Sequence, residues 1–270
     1  MGVVDGLARA RAAYERRDWM AAYDALSAAD PAHLDGADYA RLAQAAQLVG
    51  RRNDSVQAMQ RAYTAHLESG DDLAAVRCAY WLAMLLTDAG ERAVAGGWHA
   101  RAVRLLDERG GEDVVERGFL ACHALLAHVY AGEFGAALET APVVADYGRR
   151  FREPDLVAMG VSAEGRLKMY GGSVVEGVGL LDEAMVGVAA GELSTLMAGH
   201  VYCLMIEACQ EISDWVRVAE WTTALTAWCD AQPELVLFTG QCAVHRGQIL
   251  RLRGAFAEAL EEFELACRLQ

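Results

Sequence analysis

Apolar residues recur along this chain every three or four positions with polar residues between them, the period of an amphipathic α-helix and not of a strand. Short turns break the helical runs, and after each turn the same order of residue sizes returns. Arg17-Asp18-Trp19 leads to Ala22, Leu26 and Ala29; Gly50 leads to Ser55, Met59 and Ala62; Gly90 leads to Ala95, His99 and Ala102. Gly132-Glu133-Phe134 leads to Ala137, Ala141 and Val144, and Gly172-Ser173-Val174 to Gly177, Leu181 and Ala184. Ser213-Asp214-Trp215 leads to Val218, Thr222 and Leu225, and Gly254-Ala255-Phe256 to Ala259, Phe263 and Ala266. Counted from 17, 50, 90, 132, 172, 213 and 254, the turns are 33, 40, 42, 40, 41 and 41 residues apart. This predicts seven units, each with a helix A before the turn and a helix B after it. Antiparallel helices approach closely only where Ala or Gly faces the neighbour, which accounts for the small residues. No single unit covers its own apolar face, so the units must stack.

The order Gly-x-aromatic-x-x-Ala-x-x-x-aromatic-x-x-Ala in helix B resembles the tetratricopeptide repeat. The stretch Gly254 to Ala266 is the best match, and the resemblance covers nearly the whole chain. It implies an all-α, tetratricopeptide-like α-solenoid of about seven helical hairpins in a right-handed superhelix, as a single repeat domain over residues 1–270. The period exceeds the family's length of about 34 residues, which lengthens helices or inter-repeat loops. A narrower resemblance lies in Gly199-His200-Val201-Tyr202-Cys203, Ile206-Glu207-Ala208-Cys209-Gln210-Glu211 and Gly240-Gln241-Cys242-Ala243-Val244-His245-Arg246. These segments look like the helical repeats of actinobacterial LuxR-type transcriptional regulators, where the repeats precede a helix-turn-helix. No basic recognition helix is visible here, and Phe263, Leu265 and Leu269 leave the last helix B apolar up to Gln270. The expectation is a truncated regulator, a stand-alone relative, or a homodimer through an uncapped C-terminal repeat.

Composition narrows the partners. The chain has four prolines, so long helices are permitted almost everywhere. Its basic residues are nearly all arginine, with Lys168 the one lysine and Asn53 the one asparagine, the usage of a high-GC genome such as an actinobacterium's. A net charge of −14 repels phosphate backbones and anionic lipid, so neither direct nucleic-acid contact nor a membrane partner is expected. Seven cysteines without a CxxC pair read as free thiols in a reducing cytoplasm. The run Met1-Gly2-Val3-Val4-Asp5 lacks a leader pattern, and no apolar stretch reaches the roughly 18 residues that span a bilayer, so a cytoplasmic location is expected.

Motifs of chemistry are scarce. There is no Walker A, HExxH or GxSxG pattern. The glycine run Gly171-Gly172-Ser173…Gly177-Val178-Gly179 is the turn of the fifth repeat and not a phosphate loop. His200, Cys203 and Glu207 fall at i, i+3 and i+7, on one helical stripe of metal-capable types. Without ligands from other helices the stripe reads as a polar face, and no metal, cofactor or catalytic residue is expected. Trp215 fills a turn notch, and Trp221 with Trp228 reads as packing, not as a ligand cage.

These readings point to a non-enzymatic interaction or sensor domain of a bacterial transcriptional regulator. The alternative is a stand-alone protein that sequesters a hydrophobic small molecule, such as a secondary metabolite. In tetratricopeptide arrays helix A lines the concave wall. The resemblance therefore implies a binding face of Tyr80, Met84, Phe119, Leu126, Arg166, Met169, His200, Cys203, Glu207, Gln210 and Gln248. Its apolar middle with polar flanks suits a peptide, a protein segment or a small hydrophobic effector. The competing reading is that Phe119 and Leu126 complete the core. Arg166 and Glu207 take the same place in consecutive helices A and are expected to pair. A ligand carboxylate or amide would then engage Arg166, with His200 and Gln210 alongside.

Overall fold

The computed structural model describes residues 3–232 and 234–269. Met1, Gly2, Pro233 and Gln270 lie outside the described residues, and with them part of the N-terminal run and the end of the last helix invoked above. The chain divides into two compact units. Unit 1 carries α1 (Val3–Glu15), α2 (Trp19–Ser27), α3 (Gly36–Leu48), α4 (Arg52–Glu68), α5 (Asp72–Asp88) and α6 (Arg92–Glu108), and the stretch Glu234–Leu237 groups with it. Unit 2 carries α7 (Val115–Ala131), α8 (Phe134–Phe151), α9 (Pro154–Tyr170), α10 (Val174–Ala189), α11 (Thr195–Glu211) and α12 (Trp215–Asp230). From Phe238 onward it also holds α13 (Val236–Leu252) and α14 (Phe256–Leu269). The described residues contain no strand, and none of their helices is long and apolar enough to cross a membrane.

Odd-numbered helices are the A members of the hairpins and even-numbered helices the B members. Each helix from α1 to α6 and from α7 to α12 packs on the next in sequence within its unit, and A helices also touch across hairpins, α1 with α3, α7 with α9 and α9 with α11; α13 meets α12 through Phe238 and Trp228, and α14 through Arg246 and Glu262. This sequential stacking is that of an all-α solenoid.

One device closes the seven hairpins of the described residues. The turn residues Arg17, Gly50, Gly90, Gly132, Gly172, Ser213 and Gly254 have φ between 62° and 89°, in the left-handed region. The next amide donates to the carbonyl five residues back, as in Arg51 N–H to Ala46 O at 2.7 Å and Ser173 N–H to Lys168 O at 2.9 Å. This bond satisfies a carbonyl that the end of helix A leaves orphaned, and the left-handed residue reverses the chain. Glycine takes that conformation freely, but Arg17 and Ser213 hold it against a Cβ. Ser213→Gly is expected to raise stability by about 0.5–1 kcal/mol, because relief of the left-handed strain exceeds glycine's added unfolded-state entropy. A thermal melt no higher than wild type would show that Ser213 sits there without strain.

The small positions of helix B fill the seams. Ala22, Ser55, Ala95, Ala137, Gly177, Val218 and Ala259 are all buried, and so are Ala62, Ala102, Val144, Ala184, Leu225 and Ala266. Unit 2 goes further, with glycines where helices meet backbone to backbone. A Cβ on Gly160 would stand 2.6 Å from Ala145 N and 2.7 Å from Ala141 O, and one on Gly177 would stand 2.5 Å from Gly165 O. These contacts bring α8, α9 and α10 into one tight layer. Asp155, at the start of α9, accepts from the Ser194 amide at 2.9 Å and so ties α9 to the start of α11.

Candidate functional site

The A helices of unit 2 place side by side residues that lie about one repeat apart in sequence. On α9, α11 and α13 the equivalent positions are Arg166, Glu207 and Gln248, each 41 residues from the last. Arg166 Nη1 donates to Glu207 Oε2 at 3.0 Å, so the expected pair is present. The guanidinium does more. Its Nη2 reaches Glu211 Oε1 at 2.5 Å and its Nε donates to Tyr170 Oη at 2.8 Å, while Tyr170 Oη donates to Glu211 Oε1 at 3.2 Å. The Tyr170 ring lies under the cation at 5.8 Å and against Phe134 at 5.6 Å. Burial pulls the guanidinium pKa down, and Glu211, Tyr170 and Glu207 more than reverse that, leaving it firmly charged. Next to this knot Gln210 Nε2 donates to Gln248 Oε1 at 2.6 Å, joining α11 to α13.

The knot carries one cation and two carboxylates, a net charge of one negative. The same arithmetic recurs on α9, where Lys168 Nζ sits 3.3 Å from Glu164 and 2.5 Å from Glu176. Arg166 is therefore committed to its own carboxylates. A ligand carboxylate approaching it would meet two anions already in place.

Behind the knot lies His245, one turn before Gln248 and 1% exposed, with neither ring nitrogen in a well-formed hydrogen bond. Burial lowers its pKa below 6.5, and Glu207 and Gln248 act weakly in the opposite sense. The folded chain thus keeps a neutral imidazole where the unfolded chain takes up a proton. Stability from this group is complete above about pH 6.5 and is lost as pH falls below it. In His245→Leu the loss of stability between about pH 6.5 and 5.5 should be shallower than in wild type. Parallel denaturant midpoints at both pH values would remove His245 from that account.

The remaining anticipated residues divide. Tyr80 and Met84 are in unit 1, where Tyr80 is 2% exposed and packs edge-on against Trp81, and Met84 is half-buried. In unit 2 Phe119 and Met169 are buried and Leu126 is half-buried, so the apolar part of the list largely fills the stack. The cause is physical: large apolar groups that face a neighbouring hairpin are drawn into contact with it. His200 is exposed and meets the Phe238 ring edge-on at 5.6 Å. Cys203 is half-buried, and burial, with Glu207 and Cys242 nearby, pushes its thiol up to about 12. Among the described residues no group of three or more His, Cys, Asp or Glu could hold a metal, so His200, Cys203 and Glu207 do not form a ligand set. Trp221 and Trp228 pack around Tyr202, and Trp228 also meets Phe238, which makes them part of the seam between α11, α12 and α13. Sequence reasoning missed Tyr170, Glu211 and His245. Tyr170 and Glu211 each stand four residues beyond an expected member, Arg166 and Glu207, so the helical i,i+4 rule could have found both.

Comparison with known proteins places this geometry in a wider setting. No family model matches the chain, and no curated relative does. Among solved structures the chain is similar to a Rap protein complexed with competence and sporulation factor, with a TM-score of 0.60 and 11% identity over 97% of this chain and 72% of that one. It is also similar to BtubC (BKLC) from P. vanneervenii, with a TM-score of 0.53 and 16% identity over 83% of this chain and 89% of that one. At such identities the likeness is one of fold, and with the fourteen α-helices of the described residues it shows that the chain has a tetratricopeptide-like helical-repeat architecture.

Proposed function

We propose that this chain is a non-catalytic binding scaffold that takes an extended, basic peptide or protein segment along the A-helix face of unit 2. The observation that carries the reading is the pairing of Arg166 with both Glu207 and Glu211 beside the Gln210–Gln248 bond. It forms a half-exposed ledge of carboxylates and amides with the Tyr170 ring at its edge. A ligand lysine, arginine or terminal amine finds carboxylates and an aromatic face there, and its backbone amides find Gln210 and Gln248. The chain's net charge of −14 steers such a segment toward it. The Rap protein, solved with competence and sporulation factor, gives the same fold a precedent as a binder. A transcription-regulator setting rests on the resemblance of the α11 and α13 segments to LuxR-type repeats.

The test is selection from a random peptide library, followed by titration of the enriched peptides. Enriched peptides should be basic, and Glu207→Gln with Glu211→Gln should weaken them at least about tenfold, or about 1.4 kcal/mol. Peptides that are neutral or acidic, or that bind the double variant as well as wild type, would end this reading.

A second reading, capture of a small apolar molecule, has one observation in its favour. An open groove of about 530 Å³ runs between α8, α9 and α10, floored by Val157, Val161 and Leu193 and rimmed by Arg149, Glu153 and Glu183. Val157→Asp should abolish binding of a hydrophobic fluorescent probe there, and unchanged binding would place the probe elsewhere.

A further inference from the structure

Three thiols of unit 2 converge on the seam between α11, α12 and α13. Cys242 is completely buried, and its Sγ is surrounded by donors. Arg246 Nη1, one turn further along α13, lies 3.1 Å from it, and Thr226 Oγ1 of α12 lies 3.2 Å away. Cys229, buried in the last turn of α12, follows Thr226 by one helical turn and so stands on the same side of α12 as the contact to this sulfur. Cys203 of α11 is the third neighbour. Arg246 is held in place from behind, with Nε and Nη2 donating to the two oxygens of Glu262 at 2.9 and 2.7 Å. A guanidinium clamped by a bidentate carboxylate and still aimed at a buried sulfur is an arrangement that stabilises a thiolate.

We propose that Cys229 and Cys242 form an oxidant-responsive dithiol, in which a hydroperoxide attacks at Cys242 and Cys229 resolves the product to a disulfide between α12 and α13. The assignment of roles follows from the surroundings. The neighbouring Cys229 thiol outweighs the effect of burial on Cys242 and, with Thr226 and the Arg246 cation, holds its thiol below the ordinary range. The same proximity to Cys242, together with burial, pushes Cys229 up and makes it the protonated member. Burial pushes Cys203 up to about 12, so it stays a thiol and does not compete as nucleophile.

The steps balance. The Cys242 thiolate attacks the distal oxygen of the hydroperoxide, an S–O bond forms, and the O–O bond breaks with release of alkoxide or hydroxide. Cys242 is thereby oxidised to the sulfenic acid and the peroxide reduced by two electrons. The Cys229 sulfur then attacks the sulfenic sulfur, an S–S bond forms, and the S–O bond breaks. The leaving hydroxide takes the Cys229 proton and departs as water. Hydrogen peroxide is small enough to reach the buried pair through local opening of the α12–α13 seam. The proposal is independent of what the A-helix face binds.

The test uses the full chain carrying Cys267→Ser, since Cys267 is exposed and would react for a trivial reason. After hydrogen peroxide, intact mass should show the loss of two hydrogens, and peptide mapping of the alkylated protein should show one Cys229–Cys242 linkage. In Cys229→Ser the reaction should halt at a sulfenic acid on Cys242 that a dione reagent traps. Arg246→Met should slow the oxidation at least about tenfold, and Arg246→Lys should recover most of the rate. Circular dichroism of the Arg246 variants, read beside the rates, separates chemistry from misfolding. Linkage through Cys203, random oxidation across the cysteines, or an Arg246→Met rate equal to wild type in a folded protein would each overturn the assignment.

Discussion

Gly177→Leu should abolish cooperative folding of unit 2 or lower its stability by about 3 kcal/mol or more. The reason is a backbone contact between α9 and α10. A Cβ on Gly177 would lie 2.5 Å from Gly165 O and 2.5 Å from Met169 Cγ, and a Cβ on Gly165 would lie 2.8 Å from Gly177 O. Met169 can swing aside, but a carbonyl fixed in a helix ladder cannot. Even Gly177→Ala must push the two helices apart, which is expected to cost about 1–3 kcal/mol despite alanine's better helix propensity. Gly179, on the same helix, has open space where its Cβ would be, so Gly179→Ala should be neutral or stabilising by about 0.5–1 kcal/mol. Thermal or urea melts of the three variants provide the check. A Gly177→Ala protein as stable as Gly179→Ala would mean that α9 and α10 do not approach at this point. The double variant Gly165→Ala with Gly177→Ala should cost less than the sum of the singles, because the first substitution already opens the gap.

Gly177 also shows how far the fold is legible in the sequence. It occupies the place that Ala22, Ala95, Ala137 and Ala259 take in their own helices B, five residues past the turn at Gly172. The repeat pattern is therefore a pattern of close approaches, and it points to the same seams that the packed helices use. The turns were readable for a related reason. A left-handed residue must follow each helix A, and glycine at 50, 90, 132, 172 and 254 announces it, while Arg17 and Ser213 are visible only because the period demands a turn there.

The site was less legible. Counting along helix A brought Arg166 and Glu207 to the same place on neighbouring helices, and they meet. Counting cannot tell an open wall from a filled seam, so Tyr80, Phe119 and Met169 fell on the binding list although their side chains are buried. Nor does it give the number of partners, which depends on side-chain reach. Arg166 spans both Glu207 and Glu211, one turn apart, and that second bond changes the chemistry of the ledge. The Cys229–Cys242 contact was out of reach for a different reason. The two thiols lie on different helices, and their meeting depends on the chain reversal between α12 and α13 and not on any motif.

Arg166→Met should move stability and binding in opposite directions. The guanidinium's side chain is 24% exposed, and it neutralises two carboxylates whose side chains are 40% and 38% exposed. Without it, Glu207 and Glu211 stand one turn apart with their charges uncompensated by the guanidinium, and Tyr170 still donates to Glu211. Because both carboxylates reach solvent, the penalty is that of a partly screened network, about 1–2 kcal/mol, and it should shrink in high salt. For a basic segment the same change is a gain. In wild type an incoming lysine or arginine must compete with Arg166 for the two carboxylates; in Arg166→Met it meets both without a competing cation. Affinity for a basic peptide should therefore rise, on the order of tenfold at low ionic strength, and the gain should fade as salt increases. Glu207→Gln with Glu211→Gln removes the charges themselves and should weaken the peptide while leaving Arg166 unpaired. Isothermal titration of one basic peptide against the three proteins, at two salt concentrations, separates the cases. Loss of affinity in Arg166→Met, with the variant folded, would mean that the ligand contacts the guanidinium directly and carries an acceptor rather than a cation. That result would restore the carboxylate or amide ligand that the sequence alone suggested.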